Sequence, residues 1–394
     1  MLRCISMKNS SDVRLGIIGL GVMGTLHANN VQKGLIPQLK LCAVADVDAT
    51  RLEAFADIPR FESAEALIES GEVDAVLVST PHYSHTTIGI TALKAGLHVM
   101  VEKPISVHKA DCESLIAAYD PSSSQVFAAM FNQRTDPRYI KLKQLMADGT
   151  LGALQRINWV ITNWFRTEEY YRSGDWRATW GGEGGGVLLN QCPHQLDLYQ
   201  WLFGMPERVY ARCQFGRFHE IEVEDSVTAV LEYGSGVQGV FITTTGEAPG
   251  VNRLEVVGEN GIVTIDDDDG LKFRRNVISS VEFSKTTSER FANPEVWEVV
   301  IPTKGRGEQH IGILKNFTNT IQGKETLIAP ATEGIHSVEL ANSMILSGIR
   351  DQAIGLPLDA GEYASMLKGK IEGSTFTKQK AQAPGASVDM SKSF

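Results

Sequence analysis

Two textures in one chain predict a doubly wound α/β domain followed by an α+β domain. From Arg14 to Arg134, short apolar runs alternate with helical periods. Beyond Arg134 the runs lengthen, alternate apolar with polar residues, and turn back through glycine. A glycine-rich turn between the first run and the first helical period then narrows what the first domain holds.

Strands of the first domain are expected at RLGIIGLG, LKLCAVADVD, VDAVLVSTP, HVMVEKP and QVFAAMFNQ. Their nearly continuous apolar character suits a parallel sheet covered on both faces. HTTIGITALKAG and KADCESLIAAYD supply amphipathic helices between them, so the domain, taken as 12–134, is doubly wound. The second domain, 135–370, starts with a helix at YIKLKQLMADGTLG. DSVTAVLEYGSGVQGVFITTT reads as two strands joined through Gly234-Ser235-Gly236, and RLEVVGENGIVTI repeats the device, which implies an antiparallel sheet. Helical patterns return at HIGILKNFTNTIQG and ATEGIHSVELANSMILSG, and the polar residues 371–394 read as a loose tail.

Composition excludes several functions. The 394 residues are 43% apolar and 21% charged with a net charge of −10, which argues against nucleic acid or an anionic membrane as the main partner. Five cysteines without a CxxC pair suggest neither zinc nor a disulfide framework. No metal is expected. The acidic run Asp266 to Asp269 lacks calcium-loop spacing, because Ile265 and Asn276 stand where carboxylates are needed, so a hairpin turn is expected there. With no apolar leader and no membrane-length run, the cytoplasm is the expected location, and export by a folded-protein route stays open.

GLGVMG follows the apolar run LGII and opens a helical pattern, with Asp46 lying 22 positions beyond Gly24. In that setting Gly19 permits a tight turn, Gly21 lets the backbone approach a pyrophosphate, and Gly24 lets helix and strand pack. The helix start at Val22 and Met23 offers N–H groups to the phosphates. Asp46 is placed to accept from ribose hydroxyls and favours NAD, while Arg51 leaves NADP open. A capping role for Asp46 ahead of ATRLEAF is compatible with this. VSTPHYSH breaks at the carboxyl edge of the sheet, where ligands lie, so Ser79, Thr80, Pro81, His82 and His85 are candidates for cofactor contact or helix capping. VEKP puts Glu102 and Lys103 at the next strand end, and a cis Pro104 would aim Lys103 into the cleft.

Together GLGVMG, AGLHVMVEKP, FNQRTDPRY, GGGVLLNQCPHQLD, VEDSVTAVLEY and GIHSVELANSMILSG resemble the Gfo/Idh/MocA oxidoreductases in order and spacing. The resemblance implies a Rossmann domain plus an α+β domain with a large, mostly antiparallel open sheet that mediates homodimers or homotetramers. It implies Lys103 as the catalytic lysine and His194 as the general base, with Asn132, Gln133, Arg134, Trp176 and Arg177 lining the cofactor and substrate cleft. The family often carries Asp four residues before the histidine, where this chain has Asn190, which cannot take up a proton.

The residues around His194 bear on its role. Pro193 suits the first turn of PHQLDLYQWLF, which Gly204 ends, so His194 sits at a helix start where the dipole disfavours its charged form. A neutral imidazole is what a base accepting an alcohol proton needs. NWFRTEEYYRSGDWRATWGGEGGG holds three Trp, two Tyr, one Phe and three Arg, suited to the faces and hydroxyls of a sugar ring. Asn163, Arg166, Tyr170, Tyr171 and Arg172 are therefore substrate candidates beside Lys103, Arg134, Asn190 and His194. The function expected is NAD-dependent oxidation of a ring secondary alcohol of a sugar, glycoside or cyclitol, with C3 as the guess. A redox-neutral glycosidase using bound NAD is the alternative, ahead of a non-catalytic NAD sensor and an imine or biliverdin-like reductase.

Overall fold

Six apolar segments pair in parallel: β1 (Val13–Ile18), β2 (Leu39–Ala45), β3 (Arg60–Phe61), β4 (Ala75–Val78), β5 (His98–Val101) and β6 (Phe127–Ala129). Their order is β3-β2-β1-β4-β5-β6, the arrangement in which the chain reverses direction beside β1 and leaves a ligand crevice at the strand ends. All four residues of β4 are buried, as the unbroken apolar run of Ala, Val and Leu requires. Only β3 escaped the sequence reading, because two residues carry no period.

This computed structural model describes residues 12–266 and 270–379, and the chain divides into two compact units. The first holds the parallel sheet and also recovers residues 310–333, which the sequence boundaries had placed in the second domain. Two features hold that segment there. Ala129 N–H donates to the Ala329 carbonyl at 3.0 Å, and the helix Gln309–Ile321 buries Ile313, Leu314 and Phe317.

The second unit is built on nine strands: β7 (Leu154–Ile161), β8 (Arg208–Phe215), β9 (Glu224–Glu232), β10 (Gln238–Thr244), β11 (Asn252–Gly258), β12 (Gly261–Ile265), β13 (Leu271–Asn276), β14 (Val296–Ile301) and β15 (Ile354–Gly355). Their order is β14-β13-β12-β11-β7-β10-β9-β8-β15, antiparallel throughout except for the parallel pair β7/β10. Both glycine hairpins of the sequence reading form, β9/β10 and β11/β12. β12 and β13 pair as neighbours, but Asp267 to Asp269 lie outside the described residues.

Alternation decides the faces of this sheet. Along β8, Val209 and Ala211 are buried while Arg208, Tyr210 and Arg212 are exposed. Helix Gly334–Arg350 covers the buried face so closely that a Cβ on Gly348 would lie 2.5 Å from that of Cys213. Trp159 and Phe241 of the sheet pack on Tyr199 of helix Pro193–Phe203, at 6.4 and 6.1 Å between ring centroids. The last helix runs Ala360–Glu372, so it enters the stretch read as tail, and residues 380–394 lie outside the described ones. Among the described residues no helix is long and apolar enough to cross a membrane, and no cluster could hold a metal.

Candidate active site

In the first unit the site is made mostly of backbone. β1 delivers Gly19 at φ +92, where a Cβ would stand 2.6 Å from the Ser79 carbonyl oxygen. A Cβ on Gly24 would come within 1.8 Å of the Gly19 carbonyl oxygen, so both positions exclude any side chain. Gly21 differs, since a Cβ there meets nothing within 4 Å of the protein. It precedes helix Val22–Gln32, whose first N–H groups receive no side-chain cap. Uncapped donors at a bare helix start fit a dinucleotide pyrophosphate, with Gly21, Val22 and Met23 at its edge.

Asp46 is nearly buried at the end of β2 and ties this turn down, accepting from Leu20 N–H at 2.6 Å and from Asp48 N–H at 2.9 Å. Arg51 reaches it at 3.5 Å. The helix cap considered for Asp46 belongs to Asp48 instead, which accepts from Thr50 N–H at 3.1 Å. Three residues, Asp46 to Asp48, separate β2 from the helix at Ala49, so the cap position falls on Asp48.

At the ends of β4 and β5 the structure reassigns two candidates. Ser79, Thr80 and Pro81 form the loop before helix His82–Lys94, which no side chain caps. His82 heads that helix, and its ring lies 6.0 Å from that of His85. Both ring nitrogens of His85 lie 2.8 Å from backbone carbonyl oxygens, those of Thr80 and Pro104, and the neutral ring donates to one of them, bracing the loop. Burial pushes its pKa down. The Lys103–Pro104 peptide is cis.

Glu102 is likewise turned inward. One oxygen meets His27 Nε2 at 2.7 Å and the other accepts from Lys103 N–H at 3.1 Å. Burial pushes this carboxyl up, but His27 and the nearby His310 and Lys103 outweigh that and hold it at about 2. Burial beside His27 takes His310 down to about 4. The sequence reading missed both histidines. Three residues after Gly24, His27 falls on the buried side of the first helix, a readable signal. His310 is 283 residues further on and had none.

The second unit carries His194 at the second position of helix Pro193–Phe203, buried, with Pro193 first and Gly204 as its cap. Asn190 closes the short helix Val187–Asn190. Its Nδ2 donates to Glu183 and its Oδ1 accepts from the Tyr170 hydroxyl at 3.2 Å. That hydroxyl in turn accepts from Arg177 Nη1 at 2.8 Å and Gln191 Nε2 at 2.9 Å. The Arg177 guanidinium lies 4.3 Å from the centroid of Trp176 and 4.5 Å from that of Tyr170. Glu183 and Gln191 had not been singled out, although GGEGGG placed a lone carboxylate among glycines.

Other candidates turn away from this group. Arg134 forks onto Asp197 at 2.8 and 2.6 Å with both side chains 1% exposed, so it is not available to a substrate. That pair accounts for Asp197, three residues after His194. Asn132 is buried, and its Nδ2 donates to Gln309 Oε1 at 2.9 Å. Gln133 accepts from Gln195 at 3.1 Å.

The aromatic stretch splits in two. Tyr170 joins Asn190, and Arg166 lies over the rings of Tyr170 and Trp164 at 5.2 and 5.6 Å. Tyr171 is buried, bonds Thr245 Oγ1 at 2.7 Å, and has its phenol pushed up by burial. With Arg172 it lines a separate cavity of about 430 Å³ that also takes in Glu168, His219, Glu220 and Lys378. Arg172 stands 4.0 Å from Glu168 and 3.9 Å from Glu220 there. Asn163 is exposed.

Residues 13–130 match the oxidoreductase family with an NAD-binding Rossmann fold, and residues 139–264 match the GFO/IDH/MocA C-terminal domain. The chain belongs to the Gfo/Idh/MocA family. It is an oxidoreductase that binds NAD. This family member is 30% identical over 269 residues to myo-inositol 2-dehydrogenase of Thermotoga maritima, covering 64% of this chain and 75% of that one. It is 29% identical over 259 residues to bovine trans-1,2-dihydrobenzene-1,2-diol dehydrogenase, covering 64% and 74%. Among solved structures, the WlbA dehydrogenase of Bordetella pertussis, in complex with NADH and UDP-GlcNAcA, superposes with a TM-score of 0.73 at 25% identity over 88% of this chain and all of that one. Levoglucosan dehydrogenase with NADH shares the fold at a TM-score of 0.73, 18% identity, and the same coverage.

Proposed function

We propose that this family member oxidises a secondary alcohol on the ring of a sugar, glycoside or cyclitol to the ketone, with C3 of a glucoside-like ring as the position. The observation that carries the reading is that both proton-handling side chains are retained in suitable settings. Lys103 follows β5 in the NAD-binding unit, and His194 stands at a helix start four residues after Asn190, which accepts from the Tyr170 hydroxyl. Bound NAD supplies the hydride acceptor. His194 takes the proton of the substrate hydroxyl, and the Lys103 ammonium steadies the oxygen as negative charge builds on it. The reading requires both side chains to reach one hydroxyl. Asp46 supports NAD over NADP, because a carboxylate already accepting two N–H bonds repels a 2′-phosphate.

The relatives support a polyol ring as substrate: one is named for myo-inositol, and one neighbour was solved with a nucleotide-linked sugar acid. We propose further that the exposed face of the nine-stranded sheet joins two or four copies, since Tyr210 and Val300 stand on it in solvent. The deciding assay follows NADH formation from NAD⁺ with myo-inositol, levoglucosan, UDP-GlcNAcA and simple glucosides. Turnover of one group, lost in Lys103→Met, supports the dehydrogenase. Cleavage of aryl glycosides with no NADH released would replace it with the redox-neutral glycosidase.

A further inference from the structure

We propose that Glu183 carries, one side chain further along a hydrogen-bond chain, the negative charge that the family often places at position 190, and acts as a positioning residue through the Asn190 amide. The proposal rests on the dehydrogenase reading and deepens it. Its basis is a hydrogen-bond chain that can run in only one sense. Arg177 and the Gln191 amide nitrogen only donate, so the Tyr170 oxygen must accept from both. The Tyr170 proton is then left for Asn190 Oδ1, and Asn190 Nδ2 points to Glu183, which accepts whenever it is ionised. Ala178 N–H holds the second Glu183 oxygen at 2.7 Å, so the carboxylate cannot swing away.

Glu183 is 1% exposed, whereas Tyr170 and Asn190 are half-buried. Charge thus sits at the sealed end of the chain and a polarised hydroxyl–amide pair at the reachable end. The charged and titratable groups facing Glu183 are Arg177 at 3.9 Å, Lys378, Glu224 and Tyr171. Burial pushes the Glu183 carboxyl up against the pull of Arg177, Ala178 N–H and Asn190. When it protonates, its carbonyl oxygen can still accept from Asn190 Nδ2, but the chain no longer ends on a negative charge. A glutamine at 183 lacks that charge at every pH.

The test compares wild type, Glu183→Gln, and the exchange Glu183→Gln/Asn190→Asp, which returns the carboxylate to position 190. Each is assayed for kcat and KM from pH 5 to 9 on whichever of myo-inositol, levoglucosan or UDP-GlcNAcA the wild type oxidises, and each is melted to confirm folding. We expect Glu183→Gln to lower kcat/KM about tenfold or more and to remove one ionisation from the acid limb. The exchange should recover activity to within about threefold of wild type. A Glu183→Gln enzyme within twofold of wild type, with an unchanged pH profile, overturns the assignment. So does a folded exchange variant no better than the single one, since a merely structural carboxylate would not be rescued from position 190. If the wild type reduces NAD⁺ with none of the probes, the dehydrogenase reading is what falls, and calorimetric binding of the same sugars to wild type and Glu183→Gln still reads the Glu183 assignment.

Discussion

The nucleotide-binding turn and the Tyr170–Asn190–Glu183 chain reach the same end by different means. Around GLGVMG the groups offered to a ligand are backbone N–H donors, aimed by glycines and a helix start. Around His194 they are side chains, aimed by other side chains lying 7 to 21 residues away in sequence. A backbone site tolerates almost any neighbour but no Cβ in the wrong place. A side-chain site tolerates backbone variation but depends on every partner's donor or acceptor sense.

Lys103→Met should show the largest effect that sharpens this contrast. We expect kcat to drop about 1,000-fold, with the Kd for NADH, measured by fluorescence, changing less than threefold. Parallel loss of NADH binding would make Lys103 a cofactor anchor instead. Arg134→Met comes next. It strands Asp197 as a buried charge and should cost about 3–5 kcal/mol in unfolding free energy while leaving KM unchanged. A KM effect in the folded enzyme would restore Arg134 to the substrate.

The two regions should also respond to pH with opposite sign. Glu102 titrates at about 2 in the fold against 4.5 as a free side chain, so its contribution is present above 4.5 and is lost as pH falls toward 2. Glu224 lies under the Asn190 helix, accepting from Leu188 N–H at 3.0 Å, and burial lifts it from 4.5 to about 7. Its contribution is present below 4.5 and is lost as pH rises through 7. Glu224→Gln keeps the bond to Leu188 N–H and should raise stability at pH 8, by up to about 3 kcal/mol in chemical denaturation. No gain at pH 8 would show Glu224 ionised without cost.

Two smaller effects complete the series. Gly21→Ala should leave the melting temperature unchanged, since its Cβ meets no protein atom, yet weaken NADH about tenfold. Unchanged NADH affinity would move the pyrophosphate elsewhere. Arg172→Ala should alter KM less than threefold, because its carboxylate partners stand about 4 Å away at a partly open site. A larger change would draw the neighbouring cavity into substrate binding.

Most elements were readable because their signals are local. Apolar runs marked five of the six parallel strands, glycine pairs marked two hairpins, and Pro193 with Gly204 bounded the helix of His194. The candidates that the fold pairs internally share one cause. Arg134, Asn132, His85 and Glu102 have the residue types of a binding site, but their partners Asp197, Gln309, Pro104 and His27 lie 19 to 177 residues away. No window of sequence reveals whether a polar side chain faces a ligand or another side chain.

By itself, then, the sequence determined the doubly wound sheet, the glycine turn, and the placement of Lys103 and His194 at element ends, because period, turn and cap are properties of neighbouring residues. Tertiary structure alone decided which polar groups are consumed internally. It also returned residues 310–333 to the first unit and supplied Glu183 to Asn190. Burial makes those decisions, since a polar group removed from water must find its partner wherever the fold puts one.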